Sequence, residues 1–374
     1  MPALAQVLPS HAEARDDRPA IATQPEAGLA VQSLAIGHAA VTLLRDVNFL
    51  LPQASYGCLL GQSGSGKSTL LASLAGLVEP SSGEIRVDGQ PVFSRARKLN
   101  VPPERRQLGM VFQDPTLWPH LSVLENVLFP LRARSRRIDR RIGLDLLERV
   151  GLAAHAQRRP HQLSGGQRQR VAIVRALIAK PRLVLLDEPL SAVDGELRED
   201  LRAFLKELFR EHHITALHVT HDPQEAFELG ANVGVLAGGG LAQWDTPEAL
   251  YSRPASAAVA RLTGLASLLE VEVLAREEGM ARISLLNQTL VAPAHAQVRP
   301  GPGLLMLRPE AVHIGAGDFS AQAVRERYQG ERRLVDLQLA DGQKLQGYAH
   351  GPAVSGTQSF HIESRRGWTL PAAR

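Results

Sequence analysis

The sequence predicts an α/β protein: a largely parallel sheet covered by helices, interrupted by a helical insertion and followed by a small all-β domain. Three observations carry this. From Leu29 to about Gly264, short apolar runs that end in polar loops alternate with amphipathic stretches, the pattern of strands joined by helical crossovers. Strand signals vanish between Pro119 and Pro160. After "RPASAAVARLTG" the runs become short, partly alternating and turn-bounded, which reads as β-structure throughout.

Each element has a local reason. "YGCLLG" is a buried strand that holds the single cysteine, Cys58. "KSTLLASLAGL" spaces Leu70, Leu74 and Leu77 at helical intervals. "VLENVLFPLRARSRRI" and "RIGLDLLERVGL" read as helices and place a helical subdomain at about 115–165. "RLVLLDEP" and "ALHVTHD" are further apolar strands. Beyond them, "LLEVEVL", "ARISLL", "LLMLRPEAVHI" and "LVDLQLADGQKLQ" are strand candidates, and Asp341-Gly342 marks a hairpin. The expected organisation is a polar, disordered extension over 1–28, a main domain over 29–266 and a β-barrel over 267–374.

Composition narrows the class. A chain of 374 residues with 44% apolar content can bury two or three cores. The net charge of +4 and pI near 9.5 are mildly basic. Part of that charge is "RARSRRIDRR", Arg132 to Arg141, either a solvated helix face or a surface for acidic headgroups or a partner. No aromatic-basic module accompanies it, so no nucleic-acid partner is expected. One cysteine excludes an intramolecular disulfide. No apolar run approaches about 18 residues, and the N-terminus lacks the basic-then-apolar order of a signal peptide. The chain is therefore expected in the cytosol.

The chemistry sits at strand ends. "GQSGSGKST", residues 61–69, matches G-x-x-x-x-G-K-[ST] at Gly61, Gly66, Lys67 and Ser68. Its glycines let the backbone approach phosphate, and the N–H groups from Gly64 to Ser68 form an anion nest at a helix start. Lys67 can reach the β- and γ-phosphates, and the Ser68 hydroxyl can ligate Mg²⁺. "LVLLDEP" puts Asp187 at the end of a buried strand, placed to hold Mg²⁺, and Glu188 beside it as a general base for water. Gln113, after the run in "VFQDPTLWPH", can touch both Mg²⁺ and the attacking water, or is a plain loop residue. His221 in "HVTHD" can orient water at the γ-phosphate, or is structural. His155 and the pair His212-His213 lack metal-ligand spacing and read as solvated. "QLSGGQRQR" offers a second set of backbone N–H groups before a helix. These are the parts of a Mg²⁺-dependent ATPase with two phosphate-reading loops.

In that order, the motifs resemble the nucleotide-binding subunits of ATP-binding cassette (ABC) transporters over roughly 29–264. "GQSGSGKST" is similar to the Walker A loop of this P-loop family, "VFQD" to its Q-loop, "LSGGQRQR" to its signature, "LVLLDEP" to Walker B, "SAVD" to the D-loop and His221 to the switch histidine. The resemblance implies that Gly61, Gln62, Ser63, Gly64, Ser65, Gly66, Lys67, Ser68 and Thr69 hold ATP. It implies a head-to-tail homodimer in which Ser164, Gly165 and Gly166 read the γ-phosphate of the other chain's ATP. Gln167 would begin the helix aimed at that phosphate, and Asp194 would link the two sites. Arg168 and Arg170 read as helix-surface charges.

"RPEAVHI" and "YQGERRLVDLQLADG" resemble the OB-like C-terminal extension called TOBE, found in the importer branch. It would be either a regulatory module or a dimer-stabilising appendage. The branch implies membrane permeases, met through a groove near Gln113 and the helical subdomain, an extracytoplasmic solute-binding protein, and a peripheral place on the cytoplasmic face of the inner membrane. "VPPERRQLGMVFQDPTLWPHLSVLENVLFPL" is most like the subgroup importing ferric iron, polyamines, sulfate or phosphonates, with ferric iron preferred. A soluble ABC ATPase acting on DNA or ribosomes is the other class; its usual long coiled coil or second ATPase domain has no counterpart in this sequence. Two departures stand out. His38 occupies the place of the adenine-stacking aromatic, and an imidazole stacks less strongly. Val193 replaces the usual Leu of the D-loop.

Overall fold

The computed structural model describes residues 27–38, 41–132, 138–191, 193 and 195–372. Asp194, most of the N-terminal extension and the centre of the Arg132–Arg141 run therefore lie outside the described residues. The extension ends earlier than residue 28, because Ala27 and Gly28 already belong to the first strand.

In chain order the first domain comprises β1 (Ala27–His38), β2 (Val41–Pro52), β3 (Tyr56–Gly61), α1 (Lys67–Ala75), β4 (Ser82–Val87), β5 (Gln90–Ser94), β6 (Leu99–Asn100) and β7 (Leu108–Val111). There follow α2 (Val123–Arg132), α3 (Arg140–Arg149), α4 (Gly165–Leu177), β8 (Leu183–Asp187), α5 (Gly195–Glu211), β9 (Thr215–Thr220) and α6 (Pro223–Leu229). The domain closes with β10 (Asn232–Ala237), β11 (Gly240–Asp245), α7 (Pro247–Ser252) and α8 (Ala257–Leu262).

Strands β11-β10-β3-β9-β8-β7 form one sheet, parallel except for β11. The central strands β3 and β9 are buried at every residue, which explains their largely apolar sequences. A second sheet, β2-β1-β4-β5-β6, is antiparallel. Leu29, Leu44, Leu51 and Phe93 from it enclose α1 against Leu59 and Leu185 of the parallel sheet. The other face of the parallel sheet is covered by α4, α5 and α6 through Ile173, Leu205 and Ala226.

Helix α1 stops at Gly76, whose φ of 85° lets its N–H reach Ala72 O and Ser73 O. Leu77, expected on the apolar helix face, therefore falls beyond the helix and is 55% exposed. The insertion packs α2, α3 and α4 through Val123, Val127, Leu147, Val171 and Val174. Asp139 caps α3 by accepting from Arg141 N.

The C-terminal region holds β12 (Ser267–Glu277), β13 (Met280–Leu285), β14 (Gln288–Pro293), β15 (Gly301–Leu307), β16 (Val312–Tyr328), β17 (Arg333–Gln338), β18 (Lys344–Ala349), β19 (Gly356–Ile362) and β20 (Trp368–Pro371). They form sheets β14-β13-β12-β15-β20 and β17-β18-β16-β19 around Leu269, Ile283, Leu305, Leu337 and Phe360. Asp341-Gly342 turns β17 into β18, with Gly342 at φ 88°.

One buried arginine joins this region to the first domain. Arg308 donates to Tyr251 O, Ala260 O and Leu265 O and to Thr263 Oγ1 over distances of 2.8–3.1 Å. Its guanidinium also stacks 4.1 Å from the centre of the Tyr251 ring.

Candidate functional site

The phosphate loop joins β3 to α1 across the edge where the parallel strands end. At Gly61 a Cβ would lie 2.6 Å from Ser65 Oγ and 2.9 Å from Leu236 O, so a larger residue would push the loop outward. Gly64 and Gly66 take φ of 79° and 94°, conformations that glycine adopts without strain. Gly66 is the N-cap of α1 and supplies no side-chain cap, and no acid stands in the first turn. The first N–H groups of α1 are left for an anion, at the positive end of the helix dipole. Ser65 Oγ is buried without a hydrogen-bond partner among the described residues.

Lys67 is 5% exposed. Its Nζ donates back to Gly61 O at 2.8 Å and Gln62 O at 3.0 Å. Burial lowers its pKa, against the opposing charges of Glu188 and Asp187. Ser68 Oγ donates to Asp187 Oδ1 at 3.0 Å, which brings the loop and the end of β8 together. Burial pushes the Asp187 carboxyl up, and this outweighs the lowering by the Ser68 hydrogen bond. A hydroxyl and a carboxylate side by side suit a hard divalent cation. No group of three or more His, Cys, Asp or Glu side chains is gathered as a metal cage among the described residues, so such a cation needs phosphate and water oxygens to complete its shell.

Glu188 follows in the left-handed region, φ 44°, a conformation costly for a side chain of this size. Its N–H donates to Val219 O at 3.0 Å, and Ser191 Oγ donates to its carbonyl at 2.9 Å. The carboxylate meets His221, with Nδ1 3.3 Å from Oε2. Thus Lys67, Ser68, Asp187, Glu188 and His221 converge from three elements of the chain.

Other expected residues stand apart. Gln113 is exposed and lines a shallow cavity of about 510 Å³ with Gly165, Arg168 and Ser191; no hydrogen bond joins it to Ser68 or Asp187 among the described residues. His38 is the last residue of β1, paired with Val41. The helix after the signature loop is α4, and it starts at Gly165, two residues before Gln167. Ser164 is its cap: Ser164 Oγ accepts from Gln167 N at 3.3 Å while Gln167 Oε1 accepts from Ser164 N at 3.0 Å, a reciprocal box. Arg168 and Arg170 are not simple surface charges. They donate to Leu163 O at 2.7 Å and Val150 O at 3.3 Å and tie down the loops beside α4.

One histidine expectation also changes. His155 is half-buried, and its Nδ1 is enclosed without a hydrogen-bond partner among the described residues. His212 and His213 are exposed, as expected, and His212 Nε2 lies 2.8 Å from Arg149 Nη1 across the seam between α3 and the end of α5. The sequence also concealed a buried group behind the site: His218, Tyr56, Thr220 and Glu225. The available signal was a histidine inside the all-apolar run of β9, since a polar group in such a place needs partners.

Beside Gln113 an open groove of about 730 Å³ is lined by Leu117, Pro119, Pro130 and three exposed aromatics. Those aromatics, Phe112, Trp118 and Phe129, are 38%, 44% and 41% exposed.

A glycine loop and a carboxylate delivered by two strands to one edge of a parallel sheet define a P-loop nucleoside-triphosphatase. Residues 44–191 match the family described as ABC transporter. The chain is 38% identical to the spermidine/putrescine import ATP-binding protein of Pseudomonas aeruginosa, over 86% of this chain and 90% of that protein. It is 38% identical to the Fe(3+) ions import ATP-binding protein of Brucella abortus over 80% of this chain and 85% of that one. The sulfate/thiosulfate import ATP-binding protein of Rhodopseudomonas palustris is 39% identical, over 80% and 85%. A dimeric ATP-binding cassette solved in a post-hydrolysis state with ADP and Pi superposes with a TM-score of 0.51 and 31% identity, covering 58% of this chain and 98% of its own. The chain belongs to the ABC transporter family, among the import ATP-binding subunits, and is an ATPase.

Proposed function

We propose that this chain hydrolyses Mg²⁺-bound ATP at a site completed by a second copy, and so drives uptake of ferric iron through membrane permeases. The observation that carries the ATPase mechanism is the pairing of Ser68 with Asp187 and of Glu188 with His221 at one end of the sheet. Residues 61–69 hold the phosphates, with Lys67 turning from the loop carbonyls to the β- and γ-phosphates. Ser68 and Asp187 would hold Mg²⁺, with Gln113 as a further ligand, and the cation would offset phosphate charge. Glu188 takes the proton of the attacking water, and His221 orients that water against the γ-phosphate. His38 is proposed to lie against adenine, and Asp194 to link the two sites of the dimer.

The second copy supplies Ser164, Gly165 and Gly166. The dimeric state of the similar cassette supports this arrangement. Ser164 Oγ uses its acceptor on Gln167 N and keeps its O–H to donate to phosphate. The groove of Phe112, Trp118 and Phe129 is the proposed seat of a permease segment at the cytoplasmic face of the inner membrane. No helix among the described residues is long and apolar enough to cross a membrane. An extracytoplasmic solute-binding protein would deliver the cargo, and the C-terminal domain would regulate or stabilise the dimer.

Ferric iron is supported by the likeness to the Brucella protein. The equal likeness to the polyamine and sulfate subunits makes those cargoes alternative outcomes of the test. Glu188→Gln should retain ATP binding while turnover falls about a hundredfold, and cells carrying only this variant should lose ferric-iron uptake. Normal turnover removes Glu188 as the base; loss of spermidine or sulfate uptake instead reassigns the cargo.

A further inference from the structure

His221 is 62% exposed in its side chain, and its Nδ1 lies 3.3 Å from Glu188 Oε2. Its backbone, by contrast, is held tightly. The Thr220 hydroxyl accepts from Asp222 N at 3.0 Å, a bond that straddles His221. The same hydroxyl donates to Glu225 Oε2 at 2.5 Å. Asp222 in turn caps α6 by accepting from Gln224 N at 2.8 Å. Thr220 and Glu225 are 2% and 4% exposed, so water does not compete for these bonds.

A buried carboxylate requires partners. Glu225 has a second one in His218, whose Nε2 lies 3.6 Å from Glu225 Oε2. His218 is fully enclosed between β3 and β8, beside Cys58 and Leu186. Its Nδ1 lies 3.0 Å from Tyr56 Oη. Burial raises the Tyr56 phenol well above its ordinary value, so it remains a donor. Burial alone raises the Glu225 carboxyl; His218, Thr220 and Arg198 outweigh it and hold the pKa below the usual carboxylate range. Tyr56, His218, Glu225 and Thr220 thus line up through the core to the turn of His221, with hydrogen bonds at the Tyr56 and Thr220 ends and a 3.6 Å approach in the middle, where His218 Nε2 has no hydrogen-bond partner among the described residues.

We propose that Thr220 and Glu225 are positioning residues for ATP hydrolysis, acting by holding His221 against Glu188. This rests on the role assigned to His221 above. A displacement of about 1 Å at a group that orients water is enough to slow turnover strongly.

The test is a double-mutant cycle on the full-length chain. Thr220→Val removes both hydroxyl bonds at nearly equal size; Thr220→Ser retains them. Thr220→Val should lower kcat about tenfold with the KM for ATP within about twofold, and Thr220→Ser should restore most of the rate. On a His221→Ala background, Thr220→Val should change kcat by less than about twofold. Should Thr220→Val not fold, Glu225→Gln enters the same cycle with an expected loss of about threefold. An equal loss on both backgrounds, or no rescue by serine, overturns the inference. If His221→Ala itself turns over normally, the role of His221 fails first. If His221→Ala is slow and Thr220→Val is fast, only the present inference fails.

Discussion

The N-termini of α1 and α4 follow opposite plans. Helix α1 begins at an uncapped glycine, with a buried lysine and the carboxylate of Asp187 beside its free N–H groups. Helix α4 begins at an exposed serine that is already locked to Gln167, and its nearest arginine is turned back onto Leu163 O. The first end leaves its donors open to a ligand. The second satisfies part of its own need and presents a finished edge. In the proposed dimer, affinity for ATP therefore resides at α1, while α4 of the other chain only completes the closed state.

The largest expected effect tests that division at α4. Ser164→Arg should cut hydrolysis about a thousandfold and abolish ATP-driven dimerisation, because a bulky cation blocks the facing site. Binding of a fluorescent ATP analogue by the single chain should change by less than about twofold. Intact hydrolysis in this variant would break the comparison. Next comes Lys67→Ala, which should weaken ATP binding about a hundredfold through loss of a buried charge facing phosphate; titration of the same analogue reads it. If affinity fell more in Ser164→Arg than in Lys67→Ala, the two helix ends would exchange roles. The smallest effect is structural. Ser164→Ala should destabilise the chain by about 1 kcal/mol through loss of the α4 cap, seen as a lower urea midpoint. Helix α1 has no such cap to lose.

Much of this was legible in the amino-acid order. Strands β3, β8 and β9 are buried on both faces, so their apolar runs stand out, and Gly64 and Gly66 mark backbone that glycine adopts without strain. Asp341-Gly342 announced its hairpin for the same local reason. What escaped notice depends on distant packing. The antiparallel sheet of β1, β2, β4, β5 and β6 pairs residues as distant in the chain as Leu29 and Val87, and its strands carry polar outer faces. Leu77 keeps the helical spacing but follows the glycine that ends α1. Arg168 and Arg170 look like surface charges until the carbonyls they bind are in place. His218 resembles any residue of a strand, since Tyr56 and Glu225 reach it only in three dimensions.

Arg308 gives the domain junction a further meaning. The change in sequence texture near Ser267 invites a cut there, yet the carbonyls of Tyr251, Ala260 and Leu265 share one donor from beyond it. Each carbonyl stranded by such a cut costs about 1–3 kcal/mol unless water replaces the arginine. Cleavage at the junction thus yields a weakened ATPase fragment rather than an autonomous one. Any graft of this β-domain onto a related ATPase must carry α7, α8 and Tyr251 along with it, because the exchangeable unit begins before the first β-strand of the domain.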